Sequence, residues 1–248
     1  MYLKQRDIFM LKAFDKLRVM DIQTTQKLCN WTSYFKCANR LQILCDEKYI
    51  KCYQENMIAK KYYHLTQKGM NTIYKDIKKK PPTVSKTTIN HEILVANVLY
   101  YLLQCNQNLT MNDFMTDREL MCMKSYNQKK REHLCDLFCK KYRVKIEVEL
   151  SLKKISELSK NFYMNGYDYT QVWIVGNTTI YNRLKKLKEN NQKFNCYIIR
   201  LNELDKHDIN LKSMYDELFS KNEYLRKNLE HLKKLEEKKI KQLSIEEI

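Results

Sequence analysis

Glycine and proline are nearly missing, with three of the first and two of the second in 248 residues. No glycine-rich phosphate loop or dinucleotide fingerprint can be built from so few, so no cofactor is named by motif. Long apolar runs are missing too. The longest, ILVANVLYYLL, falls well short of the roughly 20 residues a bilayer helix needs and contains Asn97. Arg6, Asp7, Lys12 and Asp15 interrupt any apolar stretch near the start, so neither a signal segment nor a membrane partner is expected. Acid is in short supply: 29 acidic residues face 46 basic ones, for a net charge of +17. Such a surplus attracts polyanions, and nucleic acid is the leading partner. The nine cysteines are odd in number and unevenly spaced, which fits reduced thiols in a cytoplasmic protein. The abundance of Lys, Asn, Tyr and Ile is consistent with biased genome composition, and no function is read from it.

The informative stretch is Ser33–Gly69, SYFKCANRLQILCDEKYIKCYQENMIAKKYYHLTQKG. Ala38, Leu41, Leu44 and Cys45 recur at helical spacing, whereas Lys36, Arg40 and Lys48 fall largely on other faces. After Tyr49 the period changes to two, and YIKCYQ and KKYYHLT bracket a turn at Glu55-Asn56, which predicts a hairpin. A basic helix followed by a hairpin is the pattern of a recognition helix and wing, and such a helix can enter the major groove of double-stranded DNA. Ser33, Tyr34, Lys36 and Arg40 are the candidate base-edge contacts, and Lys60 and Lys61 the candidate phosphate contacts.

The flanking segments complete a winged helix-turn-helix. Leu3–Val19 reads as a helix on the stripe Ile8, Leu11, Phe14 and Leu17, and Asp21 as the N-cap of a second helix through Cys29. Trp31, in the turn before the basic helix, is expected in the core. Thr66–Lys79 closes the domain at about residue 80, and 81–89, containing Pro81 and Pro82, is the expected linker. Residues 90–208 read as an α/β domain. A helix carrying Ile93, Leu94, Val98 and Leu102 is expected to pack on the sheet that follows, whose strands are Phe114–Met123, His133–Cys139 and Val144–Leu150. SYNQKKRE joins the first two. A helix ending at Asn165-Gly166, the apolar strand TQVWIVGN, a helix from Thr179 and the strand CYIIRL follow. From 209 to 248 a C-terminal helix has Leu211, Leu218, Leu225 and Leu232 seven apart, compatible with a homodimer or with docking on its own domain. The fold class is therefore α+β and multidomain.

One acidic constellation stands out. Asp136 on one strand, with Glu147 and Glu149 on the next, can share a sheet face, and Glu119 is an outer candidate. Such acids either hold Mg²⁺ and activate water for phosphodiester attack, or pair with neighbouring lysines. His133, Cys135 and Cys139 form the one metal-like cluster, at most part of a tetrahedral site.

The segments LKQRDIFMLKAF, LTQKG, HEILVANV, TDREL and IEVELS resemble the replication-relaxation proteins of plasmids and other mobile elements, over roughly residues 3 to 200. The resemblance implies a DNA-binding accessory or regulatory protein with an N-terminal winged helix, acting in replication, mobilisation or transcription control with a replication or mobilisation partner. The second domain is also similar to the PD-(D/E)xK nuclease fold, which implies a Mg²⁺-dependent endonuclease as the alternative. Asp136 and Glu147 would be its metal ligands. Glu149 stands where that family carries lysine and Cys135 where it carries proline, so Lys153 or Lys154 would have to supply the cation. Glutamate there reverses the charge that stabilises a developing anion, which favours a fold kept without efficient cleavage.

Overall fold

The computed structural model describes residues 2–54, 59–75, 79–123, 133–151, 153–166 and 168–221, which form an α+β chain with two sheets. The chain divides into two compact units, Met1–Leu137 and Phe138–Ile248. The expected Glu55-Asn56 turn, the SYNQKKRE loop and the leucines after Lys221 lie outside the described residues. No helix among the described residues is long and apolar enough to cross a membrane.

In the first unit, helix α1 (Gln5–Leu17) buries Met10, Leu11, Phe14 and Leu17. The next three residues form a strand, β1 (Val19–Asp21), that the sequence pattern did not announce. It is short and buried throughout, so it shows no alternation. Asp21 then caps α2 (Ile22–Leu28) as expected, its carboxylate accepting the Thr24 N–H at 2.7 Å. Asn30 turns the chain at a φ of 52°, a conformation asparagine tolerates, and leads into α3 (Tyr34–Asp46). Strands β2 (Ile50–Tyr53) and β3 (Tyr62–Leu65) pair antiparallel from Ile50↔Leu65 to Tyr53↔Tyr62. β1 adds to the far side of β3, giving the order β1-β3-β2. Thr66 caps α4 (Gln67–Ile73), which ends before Lys79. A Cβ at Gly69 would lie 2.3 Å from the Tyr49 carbonyl oxygen, so only glycine lets α4 approach the hairpin.

The unit does not stop at Pro81-Pro82. Helix α5 (Ile89–Cys105) belongs to this unit and packs on β1, α1 and α2. The reason is its apolar stripe of Val95, Val98, Leu99 and Leu102, together with polar ties. Arg18 at the end of α1 donates to Glu92 at 2.7 Å, and Thr24 donates to Asn97 at 3.3 Å. The expected strand Phe114–Met123 is also shorter than the pattern suggests. β4 covers only Phe114–Thr116, and Asp117–Met123 is helix α6. TDRE is a capping box: Glu119 accepts the Thr116 N–H at 2.9 Å, and the Thr116 hydroxyl accepts the Glu119 N–H at 3.4 Å.

Charges at the end of α1 gather these parts. Asp15 accepts from the Tyr74 hydroxyl, Lys79 and Arg118 at 2.9, 2.7 and 2.9 Å. Arg18 also holds Asp117 at 2.6 Å, and Lys16 holds Glu119 at 2.8 Å. Burial pushes the Asp15 carboxyl up, but Lys79, Tyr74 and Arg118 outweigh it and hold it below its usual range. Burial likewise raises Glu92, and although Arg18 opposes this it stays above the usual carboxylate range.

The boundary between the units falls within β5 (Leu137–Cys139), and the second unit continues with β6 (Val144–Glu149), α7 (Ile155–Met164), β7 (Thr170–Val175), α8 (Thr178–Glu189), β8 (Cys196–Arg200) and α9 (Leu211–Lys221). β5, β6, β7 and β8 lie in that order, and β6, β7 and β8 are parallel. The expected strand His133–Cys139 is therefore confined to its last three residues. Leu158 and Phe162 of α7 and Ile180 and Leu184 of α8 pack with Trp173, Val175, Phe194 and Cys196 into one core. Gly166, at a φ of 77°, follows α7 as its sequence position suggests. Leu211, Met214 and Leu218 of α9 are buried in this unit, which accounts for the first two leucines of the seven-residue pattern by docking.

Asp15→Asn should lower stability by about 2–3 kcal/mol at neutral pH, the scale of a lost charged hydrogen bond. Because its folded pKa is depressed, the contribution of Asp15 is complete above the unfolded value of about 3.9. It disappears as pH falls through the lower folded value, so urea denaturation of wild type and variant should converge toward pH 2. Gly69→Ala should cost about 1–3 kcal/mol by overpacking against the Tyr49 backbone, read in the same assay.

Candidate nucleic-acid interface

Helix α3 has two sides set by its sequence. Cys37, Leu41 and Leu44 are buried, while Tyr34, Phe35, Lys36, Asn39, Gln42, Ile43 and Asp46 are exposed. The basic residues sit toward its start, and Asp46 lies at its end, accepting from Gln42 at 2.8 Å. Ser33 is the N-cap residue, half-buried and without a side-chain capping bond. The hairpin brings Lys60 and Lys61, both exposed, to the same place: with Tyr34, Asp21, Ile22 and Gln23 they line a cavity of about 110 Å³. Four of the six candidate contacts, Tyr34, Lys36, Lys60 and Lys61, are thus solvent-facing. Tyr34, Lys60 and Lys61 gather at the start of α2 and α3, and Lys36 is exposed two residues beyond Tyr34.

Arg40 does not join them. Its guanidinium turns inward onto α1, where Nε donates to Asp7 Oδ1 at 2.7 Å and Nη2 to Asp7 Oδ2. Asp7 is 1% exposed and also accepts the Lys4 N–H, so it needs a cation where α1 crosses α3. Arg40 is accordingly a tie between helices. Phe35, exposed beside Tyr34 with the two rings edge to face at 5.9 Å, is not a candidate by sequence, because an aromatic in an amphipathic helix usually reads as core. Trp31 is half-buried, with the Arg6 guanidinium 4.8 Å over its ring.

Neither histidine nor cysteine adds chemistry here. Burial lowers the pKa of His64, and Lys51, its partner across the strand pair, lowers it further, so it adds no charge near neutral pH. Burial pushes the Cys29 and Cys37 thiols up to about 12, which leaves them protonated and packed as small hydrophobes. All nine cysteines are free thiols.

The acids of the nuclease-type pattern sit in two different settings. Asp136 belongs to the first unit, where His91 Nε2 stands 3.4 Å from its carboxylate. It lines a cavity of about 30 Å³ with Lys16, Arg18, Glu92 and Asp117, room for about one water. Glu147 and Glu149 share one face of β6, as the period of two requires, but both are buried. Glu147 accepts from the Asn165 amide at 2.9 Å. Glu149 holds Lys153 at 2.6 Å and accepts weakly from the Ser151 N–H at 3.3 Å. Lys153 is thereby engaged by the glutamate it was expected to replace, and Lys154 is exposed at the start of α7. Glu119 serves the capping box and Lys16. Among the described residues, no three or more His, Cys, Asp or Glu stand close enough to hold a metal ion, and this includes His133, Cys135 and Cys139.

Comparison with protein-family models, curated proteins and solved structures returns no match.

Arg40→Ala should cost about 3–5 kcal/mol of stability, because it strands a buried carboxylate. Among molecules that remain folded, the salt dependence of any duplex binding should be unchanged. Chemical denaturation beside a binding titration separates the two.

Proposed function

We propose that the first unit carries a winged helix-turn-helix that binds double-stranded DNA, with α3 as the recognition helix and the β2–β3 hairpin as the wing. The observation that carries this reading is that Tyr34, at the exposed start of α3, lines one cavity with Lys60 and Lys61 of the hairpin, while Lys36 is exposed two residues further along the helix. The order helix, strand, helix, helix, strand, strand, with β1 completing the sheet beside β3, supports it. So does the net charge of +17, which favours a polyanion over any neutral partner.

The motifs resembling the replication-relaxation proteins extend the reading to an accessory or regulatory protein of a plasmid or other mobile element, acting in replication, mobilisation or transcription control. In the same reading the second unit, with parallel β6, β7 and β8 and the helices α7 and α8, is a PD-(D/E)xK-like domain that binds a partner protein or a second copy. Cleavage is not part of this proposal. Glu147 and Glu149 are buried and committed to Asn165 and to Lys153, and a glutamate at position 149 works against a developing negative charge.

In this reading Lys36, a base-edge candidate by sequence, contacts phosphate as Lys60 and Lys61 do, so Lys36→Ala, Lys60→Ala and Lys61→Ala should each weaken binding to a duplex similarly across sequences. Each should also reduce the slope of log K against log salt by about 1, because each phosphate contact releases counterions. Fluorescence anisotropy over a salt series measures both. Unchanged slopes in all three variants would remove the winged-helix reading.

A further inference from the structure

The exposed side of α3 carries an unusual reading set. Phe35 is 76% exposed, Tyr34 46% and Ile43 42%. Phe35, Asn39 and Ile43 follow one another at steps of four, so they lie along one stripe of the helix, opposite buried Cys37, Leu41 and Leu44. Phe35 and Tyr34 meet edge to face at 5.9 Å, so the exposed side of the helix carries an apolar patch at its start. The charges beside it identify the kind of partner. Lys36 adjoins Phe35, Lys60 and Lys61 line a cavity with neighbouring Tyr34, and the one exposed acid of the helix, Asp46, is three turns away at its far end. An apolar ring rimmed by cations suits a partner that is anionic outside and apolar at one point within. In a DNA major groove that point is the C5-methyl group of thymine, the only apolar group displayed on a base edge there.

We infer that Phe35 is a specificity-determining residue that packs on a thymine methyl in the major groove. Asn39 stands one turn further along, about 6 Å down the helix axis. Its amide both donates and accepts, which matches the N6 and N7 edge of adenine. The stripe therefore selects A·T pairs, with Lys36 and the hairpin lysines supplying contacts indifferent to sequence. This inference rests on α3 being the helix that enters the groove.

The test uses duplexes recovered by the wild-type protein from a pool with a random core, each then made with thymine and with uracil, which lacks only the methyl. The wild type should bind the uracil duplex about fourfold more weakly for each methyl contacted, the worth of one buried methylene-sized group. Phe35→Ala should bind thymine and uracil duplexes alike, with the salt slope and the melting temperature of the wild type, because the ring is exposed and carries no charge. Equal wild-type affinity for the two duplexes, or a Phe35→Ala variant that keeps the full difference, overturns the inference. In either case salt-sensitive binding leaves the winged-helix reading standing. Absence of binding to every duplex overturns both.

Discussion

The first unit depends on the need to neutralise two opposite charges at the last turn of α1. Asp15 and Arg18 are largely withdrawn from water, and a charge in that position is tolerated only when it is paired and hydrogen-bonded. Asp15 draws in Tyr74, Lys79 and Arg118, and Arg18 draws in Glu92 and Asp117. Arg18 adopts a φ of 63°, which an L residue keeps only under outside restraint, and its two ion pairs supply that restraint. The ties reach α5 and the TDREL segment, so the compact body built around the three-stranded sheet runs well beyond the hairpin.

That rigidity bears on how α3 presents its surface. The helix is held from below by Cys37, Leu41 and Leu44 and from the side by Arg40 on buried Asp7. A recognition surface gains from this arrangement, since side chains fixed before binding lose less entropy on contact. The division of labour within the helix also follows. A cation facing a buried carboxylate is structural, whereas the cations facing solvent remain open to phosphate. Lys36 and Arg40 lie four residues apart and carry the same charge, yet their neighbours give them different work.

In the second unit the same electrostatics act on carboxylates. Glu147 and Glu149 point into the protein from β6 beside strands whose other residues are mostly apolar, and each finds a hydrogen-bonding or cationic partner. A carboxylate whose oxygens already accept from neighbours has fewer lone pairs free for a metal ion. Breaking either arrangement would leave a buried polar group unsatisfied. The unit therefore reads as a sheet with parallel β6, β7 and β8 in which the buried carboxylates are tied to neighbouring side chains.

The sequence by itself determined the helices α1, α2 and α3, the hairpin strands, the Asp21 cap and the apolar strand β7. Periodicity and capping act between residues three or four apart, so the signal is present in the chain. It also determined the basic excess and the position of Lys36, Lys60 and Lys61. The TDRE capping box is equally local, but the apolar residues around it suggest a strand. Only tertiary structure decided that α5 belongs with the first unit, that β1 is a strand and that Arg40 faces inward while Phe35 faces out. Those outcomes depend on partners far away in sequence: Arg40 meets Asp7 across 33 positions, and Arg118 meets Asp15 across 103. No local pattern encodes which of several like-charged residues will lie nearest a buried carboxylate once the chain has folded.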